Sequence, residues 1–90
     1  MTELLAKPKP NSVQAERAII SSWFLDPDKV GEAADAGITI DSFYDPDHKL
    51  VADCIIKAYQ DGREVDELSI AECLRQQEVE DALQLVNSIS

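Results

Sequence analysis

The stretch "DPDHKLVADCIIKAYQDG", residues 45–62, contains the strongest helix signal in this 90-residue chain. Its apolar residues recur at intervals of three and four positions, which is the spacing of one face of an α-helix. They are Val51, Cys54, Ile55, Ala58 and Tyr59. Asp45 and Pro46 are typical of the N-cap and first position of a helix, and Gly62 is typical of the position after its end. The stretch predicts a well-capped amphipathic helix.

The start of this stretch also raises the question of a metal or acid/base site at Asp45, Asp47 and His48. A calcium loop counted from Asp45 would need glycine where Leu50 stands and glutamate where Ile56 stands, so an EF-hand is excluded. No second histidine or suitably spaced thiol completes a transition-metal site, and no motif supplies a nucleophile or an oxyanion hole. We interpret Asp45 as an N-cap, Asp47 as an acid that the helix dipole favours, and His48 as a structural hydrogen-bonding residue. We predict no catalytic, cofactor-binding or metal-binding residue.

The N-terminal half of the chain predicts two further helices. Residues 1–10 contain two X-Pro steps and predict a flexible lead-in, followed by a helical domain over residues 11–90. Asn11 and Ser12 are candidate caps of the first helix, and Asn11 with Gln14 has the spacing of a capping box. This helix is apolar over a wide arc, which predicts a central helix with Trp23 in the core.

Shorter signals place the remaining elements. Asp26 and Pro27 predict the start of a second helix, and Gly37 predicts its stop. Phe43 and Tyr44 are expected to insert into the core where the chain enters the third helix. Ser69 and Glu72 have the spacing of a second capping box, and a last helix is expected from about Val79. One face of that last helix carries Ala82, Leu83, Val86 and Ile89. The fold class is therefore predicted to be all-α, a compact orthogonal or irregular bundle of four to five short helices.

The charge of the chain excludes several classes of function. Eighteen acidic and eight basic residues give a formal net charge of −10, and the basic residues are scattered. Phosphate binding needs clustered Lys and Arg, so neither direct nucleic-acid binding nor an anionic membrane surface is expected. The acids around "DGREVDE" and "EVED" are interpreted as solvated faces, with a docking patch for a basic partner as the alternative.

The cysteines and glycines indicate the expected cellular compartment and exclude some nucleotide-binding motifs. Cys54 and Cys73 have no C-x-x-C spacing and are interpreted as small core residues in a reducing compartment. No apolar run reaches the roughly 20 residues that span a bilayer, and no signal peptide is apparent, so a cytoplasmic protein is expected. Three glycines cannot build a Walker A loop or a dinucleotide fingerprint.

Three segments taken in order carry a resemblance to a known family. They are "PNSVQAERAIISSWFLDPD", "DSFYDPDHKLVADCIIKAYQDG" and "REVDELSIAECL". They resemble the N-terminal domain of bacterial and phage replicative DNA helicases of the DnaB type, over roughly residues 10–75. The matching positions are Pro10, Ser12, Ala15 and Glu16, then Asp41, Phe43, Tyr44 and His48, then Gly62, Asp66 and Ser69. The segments "ISSWF" and "EVEDALQL" depart from the family pattern, which usually has glycines at these places.

The resemblance implies an interaction and assembly module in DNA replication. In such helicases this domain helps assemble the hexamer with neighbouring subunits and docks primase and, in some cases, a loader. In such helicases ATP hydrolysis and strand separation belong to a C-terminal RecA-like domain, and the resemblance implies that this motor domain is absent from the 90 residues. The alternative is a free-standing, phage-type mimic of this domain that captures primase, loader or the host helicase. An independent enzyme and a DNA mimic are the third and fourth hypotheses.

Overall fold

The computed structural model describes residues 13–89, which form five α-helices and a short 3-10 helix. The α-helices are α1 (Val13–Leu25), α2 (Asp28–Asp35), α3 (Pro46–Gln60), α4 (Glu67–Gln76) and α5 (Ala82–Ile89), and the 3-10 helix (Ile40–Ser42) precedes α3. No strand lies between residues 13 and 89. The predicted all-α class is confirmed. The predicted lead-in and the caps at Asn11 and Ser12 fall outside the described residues.

The prediction that α1 is the central helix is wrong, because α3 occupies that place. α3 contacts the other four α-helices and contributes six buried residues, whereas α1 buries only Glu16, Ile20 and Trp23. Ala15 and Ala18 belong to the wide apolar arc of α1, but both are exposed. Leaving a methyl group in water costs only about 1 kcal/mol, so alanines broaden an apolar arc without requiring burial.

The aromatic core lies where α1 meets the start of α3. Trp23 is 1% exposed and Phe43 2% exposed, and their rings meet edge to face with centroids 5.9 Å apart. The core predictions for both residues are confirmed. The same prediction is wrong for Tyr44, which is 64% exposed. The backbone at Phe43 is extended, and successive side chains of an extended chain point to opposite sides, so an inward Phe43 turns Tyr44 outward.

The predicted start of α2 is one residue early, because the helix begins at Asp28 with Pro27, not Asp26, as its N-cap. The predicted stop of α2 at Gly37 and the predicted boundaries of α3 are confirmed. The Asp26 carboxylate accepts the amide N–H of Asp28 at 3.2 Å at the start of α2. Gly37 and Gly62 have φ angles of +93° and +73° after the ends of α2 and α3. Across the Gly62 turn the amide of Arg63 donates to a carbonyl of α3 at 2.8 Å, and an equivalent bond crosses Gly37. Such bonds satisfy carbonyls that a helix end leaves without intrahelical partners.

The predicted cap of α4 is wrong, and so is the predicted start of the last helix. Asp66, not Ser69, is the N-cap of α4, and its carboxylate accepts the amide of Ser69 at 2.8 Å. Ser69 thus lies one turn inside the helix, because Asp66 offers a cap three positions earlier. The last helix begins at Ala82 rather than near Val79.

The interpretation of the two cysteines as small core residues is confirmed for Cys54, which is fully buried, whereas Cys73 is partly buried against the core. Cys54 of α3 and Cys73 of α4 form a disulfide, with Cα atoms 6.1 Å apart. The residues are 19 positions apart in sequence, a spacing that matches no redox or metal motif and depends on how the two helices pack. A disulfide between Cys54 and Cys73 does not agree with the reducing compartment inferred from the sequence.

The first and last described helices lie side by side. Arg17 of α1 donates a hydrogen bond from Nη2 to the main-chain carbonyl of Ser88 at 2.9 Å, although the residues are 71 positions apart. A cation at the C-terminal end of a helix also interacts favourably with the helix dipole. Arg17 therefore stabilises the end of α5 and closes the bundle.

Candidate functional site

The start of α3 is a helix cap, as predicted. The Asp45 carboxylate accepts the amide N–H of Asp47 at 2.8 Å and that of His48 at 3.2 Å, and Pro46 is the first helical residue. A helix start leaves these N–H groups without intrahelical partners, so the carboxylate stabilises the helix. The acids and the histidine at the start of α3 therefore form a helix cap.

Glu16 of α1 joins this helix start to the rest of the fold. It is only 6% exposed, and its Oε2 accepts the amide of Tyr44 at 2.7 Å. Its Oε1 accepts the amide of Asp45 at 3.3 Å and lies 2.8 Å from Nδ1 of His48. An ionised carboxylate can only accept hydrogen bonds, so Nδ1 of His48 carries the proton. We call Glu16, Tyr44, Asp45 and His48 the Glu16 clamp.

The electrostatics of the clamp keep Glu16 ionised. Burial alone would raise the pKa of the Glu16 carboxyl, but the hydrogen bonds from the Tyr44 amide, the His48 ring and the Asp45 amide together hold its pKa below the ordinary value. His48 is 4% exposed, and the clamp supplies the hydrogen-bond partner that its burial requires. The interpretation of His48 as a structural hydrogen-bonding residue is confirmed.

Reasoning from the residues missed the role of Glu16, although the sequence contains a signal for it. Glu16 lies four and seven positions before Ile20 and Trp23, so it shares the buried face of α1. A charged residue in register with a buried face must find partners inside the protein. The resemblance included Glu16 and His48 among its matching positions, and the structure brings these two together.

The acidic segments are mostly solvated. The residues of "DGREVDE" are exposed apart from Val65 and Asp66, and the acids of "EVED" are all exposed. A hydrogen bond to Asp66 and the repulsion between the two carboxylates raise the pKa of Glu64. The pKa of Asp66 is lowered, mainly by the hydrogen bond from the Ser69 amide and to a smaller extent by the interaction with Glu64. This pair lies at the start of α4 and concentrates negative charge there.

Among the grooves on the surface of the described bundle, two are lined mainly by apolar surface. The first lies between the end of α1 and the start of α4, with a volume of about 360 Å³, and it is lined by Ser21, Phe24, Leu25, Asp66 and Glu67. The second has a volume of about 260 Å³ and lies along α2 and α3, with Val30, Ile38 and Ile56 among its lining residues. Both are large enough to receive side chains of a partner.

Residues 13–89 contain no cluster of three or more His, Cys, Asp or Glu side chains arranged to hold a metal ion. Within the same residues, no helix combines the length and the apolar character that crossing a bilayer requires.

Comparisons with known proteins identify relatives of the chain. The family model described as the DnaB-like helicase N terminal domain matches residues 8–90. The replicative DNA helicase DnaB of Rhodothermus marinus is 30% identical over 66 residues. That alignment covers 73% of this chain and 7% of the relative, so the chain spans only a small part of the relative's length. No solved structure matches the chain significantly.

Proposed function

Because the chain belongs to the family of DnaB-like helicase N-terminal domains, we propose that it docks a primase, a helicase loader or both, and helps assemble a helicase hexamer. In this proposal the chain supplies surfaces and no catalytic group. ATP hydrolysis and strand separation are assigned to a RecA-like domain outside these 90 residues. Neighbouring helicase subunits are the partners in the hexamer.

The match over residues 8–90 is the observation that carries this proposal. The Glu16 clamp lies inside the matched region and joins residues from two of the three segments on which the resemblance rests. A buried polar network of this kind holds α1 and α3 in one arrangement. Rigid helices with exposed apolar side chains suit a docking surface, because little order has to be gained on binding.

The charge distribution supports a protein partner rather than DNA. Lys57, Arg63 and Arg75 are each paired with an acid of their own segment, at distances of 2.8 to 3.2 Å. Arg17 is engaged with the carbonyl of Ser88. These cations do not form a stripe that could neutralise consecutive phosphates. With a net charge of −10, the chain would repel a nucleic-acid backbone.

Titration of the chain with the helicase-binding domain of the primase from the same organism tests the docking proposal. We expect a saturable calorimetric isotherm with primase, with loader, or with both. Duplex DNA at physiological salt should give no saturable binding. The absence of binding to both proteins would reject the docking proposal, and a salt-sensitive isotherm with DNA would reject the assignment of a protein partner.

The alternative is a free-standing mimic that captures primase, loader or the host helicase. It is distinguished by the mass of the native gene product in its own cells, detected with an antibody to this chain. A species several-fold heavier than 9.9 kDa supports the helicase domain, whereas a species at 9.9 kDa supports the mimic.

A further inference from the structure

We propose that the groove between the end of α1 and the start of α4 docks a basic amphipathic helix of a partner protein. This inference rests on the proposed function, since it gives a place and a chemistry to the docking proposed there. The groove is formed by Ser21, Phe24 and Leu25 on one side and by Asp66 and Glu67 on the other. We call it the α1–α4 groove.

The α1 side of the groove is apolar and open to solvent. Leu25 is 86% exposed, the largest value among the large apolar side chains of the described residues. Phe24 is partly exposed and packs against the core at the same time. Covering a leucine gains about 1.5 to 3 kcal/mol relative to leaving it in water. A partner with apolar side chains on one face would therefore gain affinity by covering Leu25 and reaching Phe24.

The α4 side of the groove is acidic. Asp66 and Glu67 line it, and the carboxylate of Glu64 interacts with that of Asp66 beside it. Neither Lys nor Arg is among the lining residues in the described part of the chain. A segment with Lys or Arg next to its apolar face would complement these carboxylates, whereas an acidic segment would be repelled. An amphipathic helix presents the two kinds of side chain on adjacent faces, as a groove with one apolar and one acidic wall requires.

The second groove does not select a partner in the same way. It is lined by apolar and uncharged polar side chains of α1, α2 and α3 and of the turn between α2 and α3. It could accept apolar side chains from many sources, so its chemistry names no occupant. Of these two grooves, the α1–α4 groove is the one that combines an exposed large apolar side chain, Leu25, with charge of one sign.

The test uses a fluorescein-labelled helical peptide of about 16 residues, long enough to form a helix when bound. Leucines occupy one face and lysines the flanking positions, and a second peptide has every lysine replaced by glutamate. Both peptides are titrated with the 90-residue chain and with the variants Leu25→Ser and Glu67→Gln. Tyr44→Ser is the matched control, because Tyr44 is also exposed but lies at the Glu16 end of α1, roughly 13 Å along the helix from Leu25.

We expect the basic peptide to bind the wild-type chain and the Tyr44→Ser variant equally. Leu25→Ser should weaken binding by about tenfold or more, as expected for an apolar anchor. Glu67→Gln should reduce the dependence of binding on salt. The acidic peptide should not bind. Circular dichroism and thermal melting check that each variant keeps its fold.

The inference is overturned if the basic peptide does not bind, or if Leu25→Ser binds it as tightly as the wild type. It is also overturned if Tyr44→Ser weakens binding as much as Leu25→Ser. Titration of the Leu25→Ser variant with the primase domain separates the two proposals. If primase binds the wild type and this variant alike, the proposed function stands and the α1–α4 groove is rejected as its site. If primase and loader both fail to bind the wild type, the proposed function falls even where the peptide binds.

Discussion

Two helices of this domain begin at an aspartate cap, and the two starts are held in different ways. At α3 the carboxylate of Asp45 accepts two amide N–H groups, and Glu16 reaches from α1 to hold the backbone just before the helix. At α4 the carboxylate of Asp66 accepts the amide N–H of Ser69, and the carboxylate of Glu64, two residues before it, interacts with it electrostatically. The first start is fixed by a buried contact between helices and the second by neighbours in sequence. The same capping residue can therefore serve a tertiary or a purely local structure.

Phe43→Ala, just before α3, should produce the largest loss of stability. Phe43 is 2% exposed immediately before α3 and packs against Trp23. Deleting a buried aromatic ring typically lowers the free energy of unfolding by about 3 to 5 kcal/mol. Urea denaturation followed by circular dichroism measures the loss. An unchanged denaturation midpoint would contradict the burial of Phe43.

Glu16→Ala should lower the free energy of unfolding by nearly as much, about 3 kcal/mol. The substitution leaves the Tyr44 amide and the buried His48 ring without their hydrogen-bond acceptor. The matched control is Glu72→Ala, which removes a helical glutamate whose ion pair with Arg75 lies on the surface. The control should change the free energy of unfolding by less than about 0.5 kcal/mol. Equal losses in the two variants would mean that the Glu16 clamp contributes no more than a surface pair.

Asp66→Ala should lower the free energy of unfolding by about 1 kcal/mol, the usual value for loss of an N-cap. Ser69→Ala should lower the free energy of unfolding by less, because the main-chain N–H of Ser69, which donates to the Asp66 carboxylate at 2.8 Å, remains in the variant. The two denaturation midpoints distinguish the cap seen in the structure from the cap predicted at Ser69. A larger loss in Ser69→Ala than in Asp66→Ala would favour the sequence prediction.

The smallest expected effect is on the pH dependence of stability, through the carboxylate of Glu16. The pKa of Glu16 is lower in the folded chain than its ordinary value of 4.5, so its contribution to stability is present above that pH. The contribution is lost as the pH falls through the folded pKa. The stability difference between the wild type and Glu16→Gln should therefore shrink when urea denaturation is repeated at decreasing pH below 4.5. A difference that stays constant would show that the charge of Glu16 contributes nothing.

Features set by near neighbours could be predicted from the sequence. The cap at Asp45, the stops at Gly37 and Gly62 and the burial of Phe43 depend on signals within a few positions. The exposure of Tyr44 follows from the extended backbone between the 3-10 helix and α3, which a helical pattern does not reveal. Local pattern therefore gave the helices and most of their ends.

Features that depend on packing could not be predicted in the same way. The Cys54–Cys73 disulfide and the bond between Glu16 and His48 join different helices. Nothing in the spacing of either pair specifies that contact. The α1–α4 groove likewise arises only when two helices lie together, although the acids on its α4 side belong to a segment for which a docking patch was an alternative.

The contact between Arg17 and Ser88 has a mechanical consequence. These residues are 71 positions apart yet joined by a hydrogen bond. The first and last helices of the described residues therefore lie next to each other. Tension applied through α1 and α5 would load this contact directly, while the core around Trp23 and Phe43 would be loaded only after it had opened. Under force this contact between α1 and α5 would open before the core, since a local opening costs less than global unfolding.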